Sequence, residues 1–285
     1  MSSLDILAGT WTTAGAADAG SDDDRSPHDF RTRVETAARA GFTGVGIGYL
    51  DLLEAEKQYG HNGIRSMLAD NGIAHFEIEM LLNWFVTDSR RTFADEQRAT
   101  MFRAAEAIGA RHVKVGGDWA GGEFDPDHMA TEFRILCEDA ANAGTKVAFE
   151  PMPFVNVRTP QQALEFIQAA DHPAGGVLLD IWHIARAGLD VTSVASVPAR
   201  WIMDVELDDA PLHFNGTMDE MRADTFNGRR LPGQGELDVQ GFVDAIKSTG
   251  YDGIWGVEIL SAEYRTRPIE EAIPDAYRTT VQYLR

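Results

Sequence analysis

Short apolar runs alternate with longer amphipathic stretches along this chain, and that rhythm predicts its elements. Runs with strand character fall at 4–9, 44–49, 74–80, 112–116, 146–150, 176–180, 201–207 and 253–259. Between them apolar residues recur at helical spacing, among other places over 27–40, 52–71, 94–108, 126–143, 160–170 and 239–249. Ser26-Pro27, Asp125-Pro126 and Thr159-Pro160 each set a capping side chain before a proline, whose fixed φ suits the first helical position. Gly41, Gly72, Gly109, Gly144 and Gly250 stand where the helical patterns stop. Eight strand–helix alternations in 285 residues are what a (β/α)8 TIM barrel of the α/β class needs. An open doubly wound sheet is the competing architecture, but no Gly-x-Gly-x-x-Gly opens the first helix. No low-complexity stretch divides the chain, so residues 1–285 are expected to form one barrel domain. Segments 14–25 and 208–234 read as long loops, which in a barrel gather at the catalytic face.

Alternation within each strand says which way its side chains point. Over 201–208, Met203, Val205 and Leu207 share one face while Asp204, Glu206 and Asp208 share the other. Phe76, Ile78 and Met80 likewise oppose His75, Glu77 and Glu79, and Val113 and Val115 oppose His112, Lys114 and Gly116. Val45, Ile47 and Tyr49 oppose Gly44, Gly46 and Gly48. A parallel strand covered on both sides should be apolar on both faces. Here one face is expected to pack on helices while the other carries charge into the barrel, with glycines leaving room.

Four apolar runs close on acids: Glu150, Asp180, Glu206 and Glu258. A buried carboxylate without a cation is strongly disfavoured. Adjacent strands lie about 4.8 Å apart, so acids at matching heights could share one divalent ion. All-oxygen ligation favours Mg²⁺ or Mn²⁺ over Zn²⁺. The plainer alternative is that each acid caps the following helix or pairs with a nearby arginine.

Charge narrows the partners. Asp+Glu 45 against Lys+Arg 25 gives a net −20, a balance that turns away nucleic acid and anionic membranes. The single cysteine, Cys137, allows no intrachain disulfide, fits a reducing compartment and is expected to be an inert buried thiol. Met1–Ile6 lacks the basic and apolar regions of a secretory signal, and no apolar stretch approaches the roughly 18 residues of a membrane span. A soluble cytoplasmic protein is the expectation.

Several segments then carry a likeness. They are His-Val-Lys-Val-Gly at 112–116, Phe-Glu-Pro-Met-Pro at 149–153, Leu-Asp-Ile-Trp-His at 179–183 and Val-Glu-Leu-Asp-Asp at 205–209. Arg-Arg-Leu-Pro-Gly-Gln-Gly-Glu at 229–236 and Gly-Val-Glu-Ile at 256–259 complete the set. Their order and spacing resemble the xylose-isomerase-like sugar phosphate isomerase/epimerase superfamily, (β/α)8 metalloenzymes, over nearly the whole chain. The resemblance implies Glu150, Asp180 and Glu258 as metal-binding acids. It also implies Glu150 and Glu258 as the catalytic pair that, in the family's epimerases, removes and returns a proton on opposite faces of a sugar carbon. A carbonyl and its neighbouring hydroxyl would bind the ion, which acts as a Lewis acid. Glu206 departs from the family pattern, which usually has a histidine there, commonly in a His-Leu/Ile-Lys-Asp setting. Four carboxylates would leave a formally doubly negative centre, which Lys114 could partly offset. Relatives that act as dehydratases on inososes or cyclic keto-acids share the overall pattern and vary at this ligand.

Around the acids, His183 matches a family histidine that hydrogen-bonds substrate oxygens, and Arg229 an arginine that contacts substrate or the acids, with Arg230 as a substitute. Glu79 is a candidate for a substrate hydroxyl or for a salt bridge with Lys114, itself a substrate-binding candidate. Trp11, Trp84, Trp119 and Trp182 lie near strand ends, where they could wall a sugar ring or pack in the core. Arg90-Arg91 could take a substrate anion or form a solvated pair. The expected function is a divalent-metal isomerase or epimerase of a non-phosphorylated sugar or cyclitol ketone, with dehydration of such a keto-compound or of a dehydroshikimate-type acid as the alternative. A small-molecule carbohydrate substrate is implied, and a homo-oligomer is compatible with the family. An abasic-site endonuclease would need a basic groove and a histidine-rich metal cluster, neither of which is visible. A non-catalytic ligand-binding barrel is the remaining reading.

Overall fold

In the computed structural model, which describes residues 4–285, eight parallel strands close into a barrel in chain order. The strands are β1 (Ile6–Ala8), β2 (Gly44–Gly48), β3 (His75–Leu81), β4 (His112–Gly116), β5 (Val147–Glu150), β6 (Gly175–Asp180), β7 (Ile202–Leu207) and β8 (Trp255–Val257). Closure comes from β8 pairing back on β1, with Leu7 opposite Gly256 and Ala8 opposite Val257. The outer layer consists of α1 (Thr10–Thr13), α2 (Phe30–Ala40), α3 (Tyr49–Asp70), α4 (Arg90–Ile108), α5 (Pro126–Asn142), α6 (Pro160–Ala170), α7 (Ile181–Arg186), α8 (Met218–Asn227), α9 (Val239–Ser248) and α10 (Ile269–Leu284). This is the expected (β/α)8 barrel in one domain. Among the described residues no helix is long and apolar enough to cross a membrane. The reading of the first residues as no secretory signal falls partly on Met1–Ser3, outside the described residues.

Local chemistry explains most boundaries. Asp125 and Thr159 accept the His128 and Gln162 N–H groups, with proline in the first turn, as the pattern predicts. Ser26-Pro27 does not start α2: Asp29 does, accepting the Arg31 N–H, while Ser26 Oγ donates to the Ala14 carbonyl. Segment 208–234 is not all loop. It contains α8, whose Thr217–Glu220 capping box fixes its start although only Thr225 is buried.

The outward faces of the strands join the helices in one core, which includes Val45, Ile47, Phe76, Ile78, Val113, Val115, Val205 and Leu207. The lumen faces are charged, as the alternation requires. The glycines of β2 make space for that charge: a Cβ at Gly46 would stand 2.5 Å from Glu77 Oε1 and 2.9 Å from Glu79 Oε1. Two strands break the pattern. A register shift between Val177 and Leu178 of β6 against β7 leaves Met203 out of that core, grouped with Ala148 and Leu178 and not with Val205 and Leu207. A register shift between Ile78 and Leu81 in β3 lets Met80 line the same cavity as Glu79.

Candidate metal centre and active site

Four successive strands deliver acids to one end of the lumen. Glu150 and Asp180 are the last residues of β5 and β6, Glu206 lies opposite Asp180 in β7, and Glu258 follows β8 directly. One oxygen from each of these four lies within 4.8 Å of the others. Opposite ligands of an octahedral Mg²⁺ stand about 4.2 Å apart, so small rotations suffice to close the set. With Glu79 and Asp208, six carboxylates are buried here, and the fixed cations among them are Lys114 and Arg229. Glu150 Oε1, Glu206 Oε2 and Asp208 Oδ1 have no hydrogen-bond partner. Buried charge left uncompensated on oxygen is what a hard divalent cation would neutralise, so this donor set fits such an ion.

Lys114 projects from β4 to the centre of the acids and is fully buried. Its Nζ lies 3.0 Å from Glu79 Oε2, 2.8 Å from Glu206 Oε1 and 2.7 Å from Glu258 Oε1. Burial disfavours its charge, yet Glu206, Glu258 and Glu79 hold its pKa well above the ordinary lysine value. Glu79 also accepts the Thr10 N–H at 2.8 Å. The Glu79–Lys114 pair is therefore formed.

Arg229 Nη1 reaches Asp180 at 2.7 Å, Asp208 at 3.0 Å and Glu258 at 2.8 Å, and its other arm lies 3.2 Å from His183 Nε2. It is no surface residue. Arg230, the possible substitute, turns outward to the Gln234 carbonyl. Arg229 is placed by the two-way backbone pairing of Asp209 with Arg230. Asp209 in turn accepts the N–H groups of Ala210, Gly233, Gly235 and Leu237. Burial raises a carboxyl pKa, but Arg229 and His183 bring Asp180 below the usual range. Burial and neighbouring acids leave Glu206 and Asp208 well above it.

Asp180 takes the capping role and keeps its other oxygen toward the acids. Its Oδ1 caps α7 by accepting from Trp182 N at 2.6 Å and His183 N at 3.2 Å, while Oδ2 faces the site. The helix begun there turns His183 back over the acids, its Nε2 3.2 Å from Glu150 Oε1.

A cavity of about 460 Å³ opens above this centre, floored by Glu150, Glu258, His183 and Arg229. Trp11 and Trp119 line it. Trp11 sits on α1, which Thr12 ties to β8 by donating to the Val257 carbonyl. Trp84 and Trp182 do not line it. Trp84 is buried against Phe85, Phe133, Phe149 and Phe166 and donates to the Gly116 carbonyl, a core role. Trp182 packs beneath the Arg186 and Arg229 guanidinium groups. Arg90 pairs with Asp88 and Asp118, and Arg91 with Asp95 and Glu132, so neither is free for a substrate anion. Cys137 is buried with its thiol pushed up to about 12 by burial, as expected of an inert group.

A second cluster fills the lumen beside these acids: His112 Nε2 lies 3.0 Å from Glu77 Oε2 and 3.2 Å from Asp204 Oδ2, all fully buried. The Arg111 guanidinium stands 2.9 Å from His112 Nδ1 and can only donate, so Nδ1 accepts and Nε2 carries the hydrogen. A protonated nitrogen does not ligate a metal, and the cluster is a buried set of ion pairs in which His112 Nε2 and the Glu77 and Asp204 oxygens have no hydrogen-bond partner. Burial pushes Glu77 up to about 7.

The barrel and its acid-ended strands agree with the family model for the xylose isomerase-like TIM barrel, which matches residues 34–285. The chain belongs to this family. It is 30% identical to a 3-dehydroshikimate dehydratase of Pseudomonas putida over 250 residues, covering 87% of this chain and 38% of that protein. It is 30% identical to an inosose isomerase of Bacillus subtilis over 148 residues, covering 51% of each. The chain thus spans roughly two fifths to one half of the length of these curated relatives. A solved IOLI protein with a bound zinc atom superposes with a TM-score of 0.83 at 20% identity, covering 99% of this chain and 98% of that one, a likeness of fold.

Proposed function

We propose that the protein is a divalent-metal-dependent isomerase or epimerase of a sugar or cyclitol ketone. The observation that carries this reading is the convergence of Glu150, Asp180, Glu206 and Glu258 on one point, where Glu150 and Glu258 form part of a cavity floor and Glu150 Oε1 and Glu206 Oε2 have no hydrogen-bond partner. Those four residues would hold Mn²⁺ or Mg²⁺, which when bound supplies Lewis-acid polarisation of the substrate carbonyl.

The remaining chemistry falls to this chain's own side chains. Glu150, with its Oε1 free of hydrogen bonds, takes the proton from the carbon beside the carbonyl. Glu258 faces the reacting carbon from β8 and returns a proton on the other side; its two oxygens already accept from Lys114 and Arg229. His183 Nε2 stands 3.2 Å from Glu150 Oε1 and 3.2 Å from the Arg229 guanidinium, which places the ring over the reacting end of the cavity. Lys114 and Arg229 hold the surrounding acids in place. A cavity of about 460 Å³ falls within the usual range for small-molecule sites and suits a single ring.

Dehydration is the second reading, favoured by the likeness to the dehydratase over most of this chain. It shares the proton abstraction and differs in the second half-reaction, where a hydroxyl must leave with a proton from His183. Incubation with Mn²⁺ and ring ketones in D₂O tests both. Deuterium entering beside the carbonyl supports the proposal, and a new conjugated-enone absorbance selects dehydration. Absence of exchange with every ketone, unaltered by chelator, overturns it.

A further inference from the structure

The cavity has a charge character that the proton-transfer chemistry does not use. Apart from the floor, its walls include the aromatic side chains Trp11, Tyr49, Phe93, Trp119 and Phe226 beside aliphatic and thioether ones such as Leu50, Met80 and Met152, and the acids Asp22 and Asp24 stand among them. Among the described residues its one lining arginine or lysine is Arg229, whose Nη1 already serves Asp180, Asp208 and Glu258. Lys114 lies beneath the lining and is held by three carboxylates. Among the described residues no ion pair is formed by Asp22 or Asp24, although their neighbour Asp23 pairs with Arg25. Asp24 is half-buried, and burial together with Asp51, Asp23 and Glu79 pushes its carboxyl upward, the behaviour of an acid without a counter-ion. The cavity is a ligand site on independent grounds, because the buried and unpartnered Glu150 Oε1 belongs to its floor.

An ammonium group is the chemistry that completes such a wall. Aromatic faces attract a cation through their quadrupoles, and a half-buried carboxylate gains from a cation more than an exposed one does. A carboxylate or phosphate on the substrate would meet two unpaired acids with no free donor of positive charge, even with a divalent ion on the floor. The geometry points to a ring substrate that carries an amine on the end away from the reacting carbon, with Asp24 as the specificity-determining residue and Asp22 as its support. This inference rests on the proposed function for which end of the substrate reacts, but the charge selection itself is a property of the walls.

Three ring ketones matched except for a hydroxyl, an amine or a carboxylate at one position distal to the carbonyl test it. Binding to the Mn²⁺-loaded protein is measured by calorimetry near pH 7, so the outcome does not depend on turnover. The amine form is expected to bind at least tenfold more tightly than the hydroxyl form, and the carboxylate form at least tenfold more weakly. Asp24→Asn should bring all three within about threefold, and added salt should compress the wild-type differences in the same order. Equal binding of the amine and hydroxyl forms, or preference for the carboxylate, overturns the inference. The salt series on unaltered protein decides the matter should the variant fail to fold. Deuterium exchange on the hydroxyl ketone is read separately: its absence with the binding order intact would sink the proposed reaction and leave the charge selection standing.

Discussion

Replacing Lys114 with methionine removes the cation around which Glu79, Glu206 and Glu258 are arranged, while keeping most of the stem's volume. The three N–O separations are 3.0, 2.8 and 2.7 Å, and the lysine is fully buried. Removing one partner from a buried ion pair strands the other charge and costs about 3–5 kcal/mol. Three acids are stranded here, so the loss should lie in the upper part of that range in metal-free protein. Urea denaturation in chelator reads it: with a slope of about 3 kcal/mol per molar, the midpoint falls by about 1.3–1.7 M. The deficit has a diagnostic pH response. Burial and Glu258 already hold the Glu206 pKa well above the ordinary value, and loss of Lys114 removes an influence that lowers it. Glu206 in the variant therefore takes up a proton more readily, and the deficit shrinks as pH falls. Mn²⁺ should stabilise K114M more than wild type, because the ion then no longer competes with the ammonium for Glu206 and Glu258. A loss below about 1 kcal/mol near neutral pH, or a deficit indifferent to both pH and Mn²⁺, would refute the reasoning.

Glu77 makes a separate pH prediction. Its folded-state pKa of about 7 lies above the ordinary 4.5, so the folded protein holds that proton more tightly. This contribution to stability is complete below the unfolded value and is lost as pH rises towards about 7. Glu77→Gln should therefore gain on wild type across that window by up to ~3 kcal/mol, whereas a difference flat with pH would count against it. Gly46→Ala places a methyl 2.5 Å from Glu77 Oε1 and 2.9 Å from the Thr10 backbone nitrogen, and thermal melts should show a loss of about 1–3 kcal/mol. Asp209→Ala removes the acceptor for four backbone N–H groups between 210 and 237. It should lower stability by about 2–3 kcal/mol and speed amide exchange at Gly233 and Gly235; unchanged exchange there would show that the loop is held otherwise.

The pleat makes the lumen legible from the chain alone. A period of two cannot be satisfied by both Val205 and Glu206 on one face, so the acids of β7 have to point opposite the apolar set, and they do. The same logic fails at Met80, because a register shift in β3 lies beyond what strict alternation encodes. The helix α8 escapes a periodicity reading since its sequence has no apolar stripe and its start depends on a capping box. Trp84 and Trp11 both sit near strand ends, yet only the rotation of each segment about its neighbours sends one into the core and the other to the cavity. The acids of the floor are visible as strand ends. Asp24 and Asp209 carry no such signal, because their surroundings come from segments distant in the chain.

The most direct test of the central claim is anomalous diffraction from crystals grown with Mn²⁺. A single peak among the oxygens of Glu150, Asp180, Glu206 and Glu258 is predicted, at about 2.2 Å from its ligands. No peak there, with Lys114 and Arg229 keeping every carboxylate contact, would contradict the account.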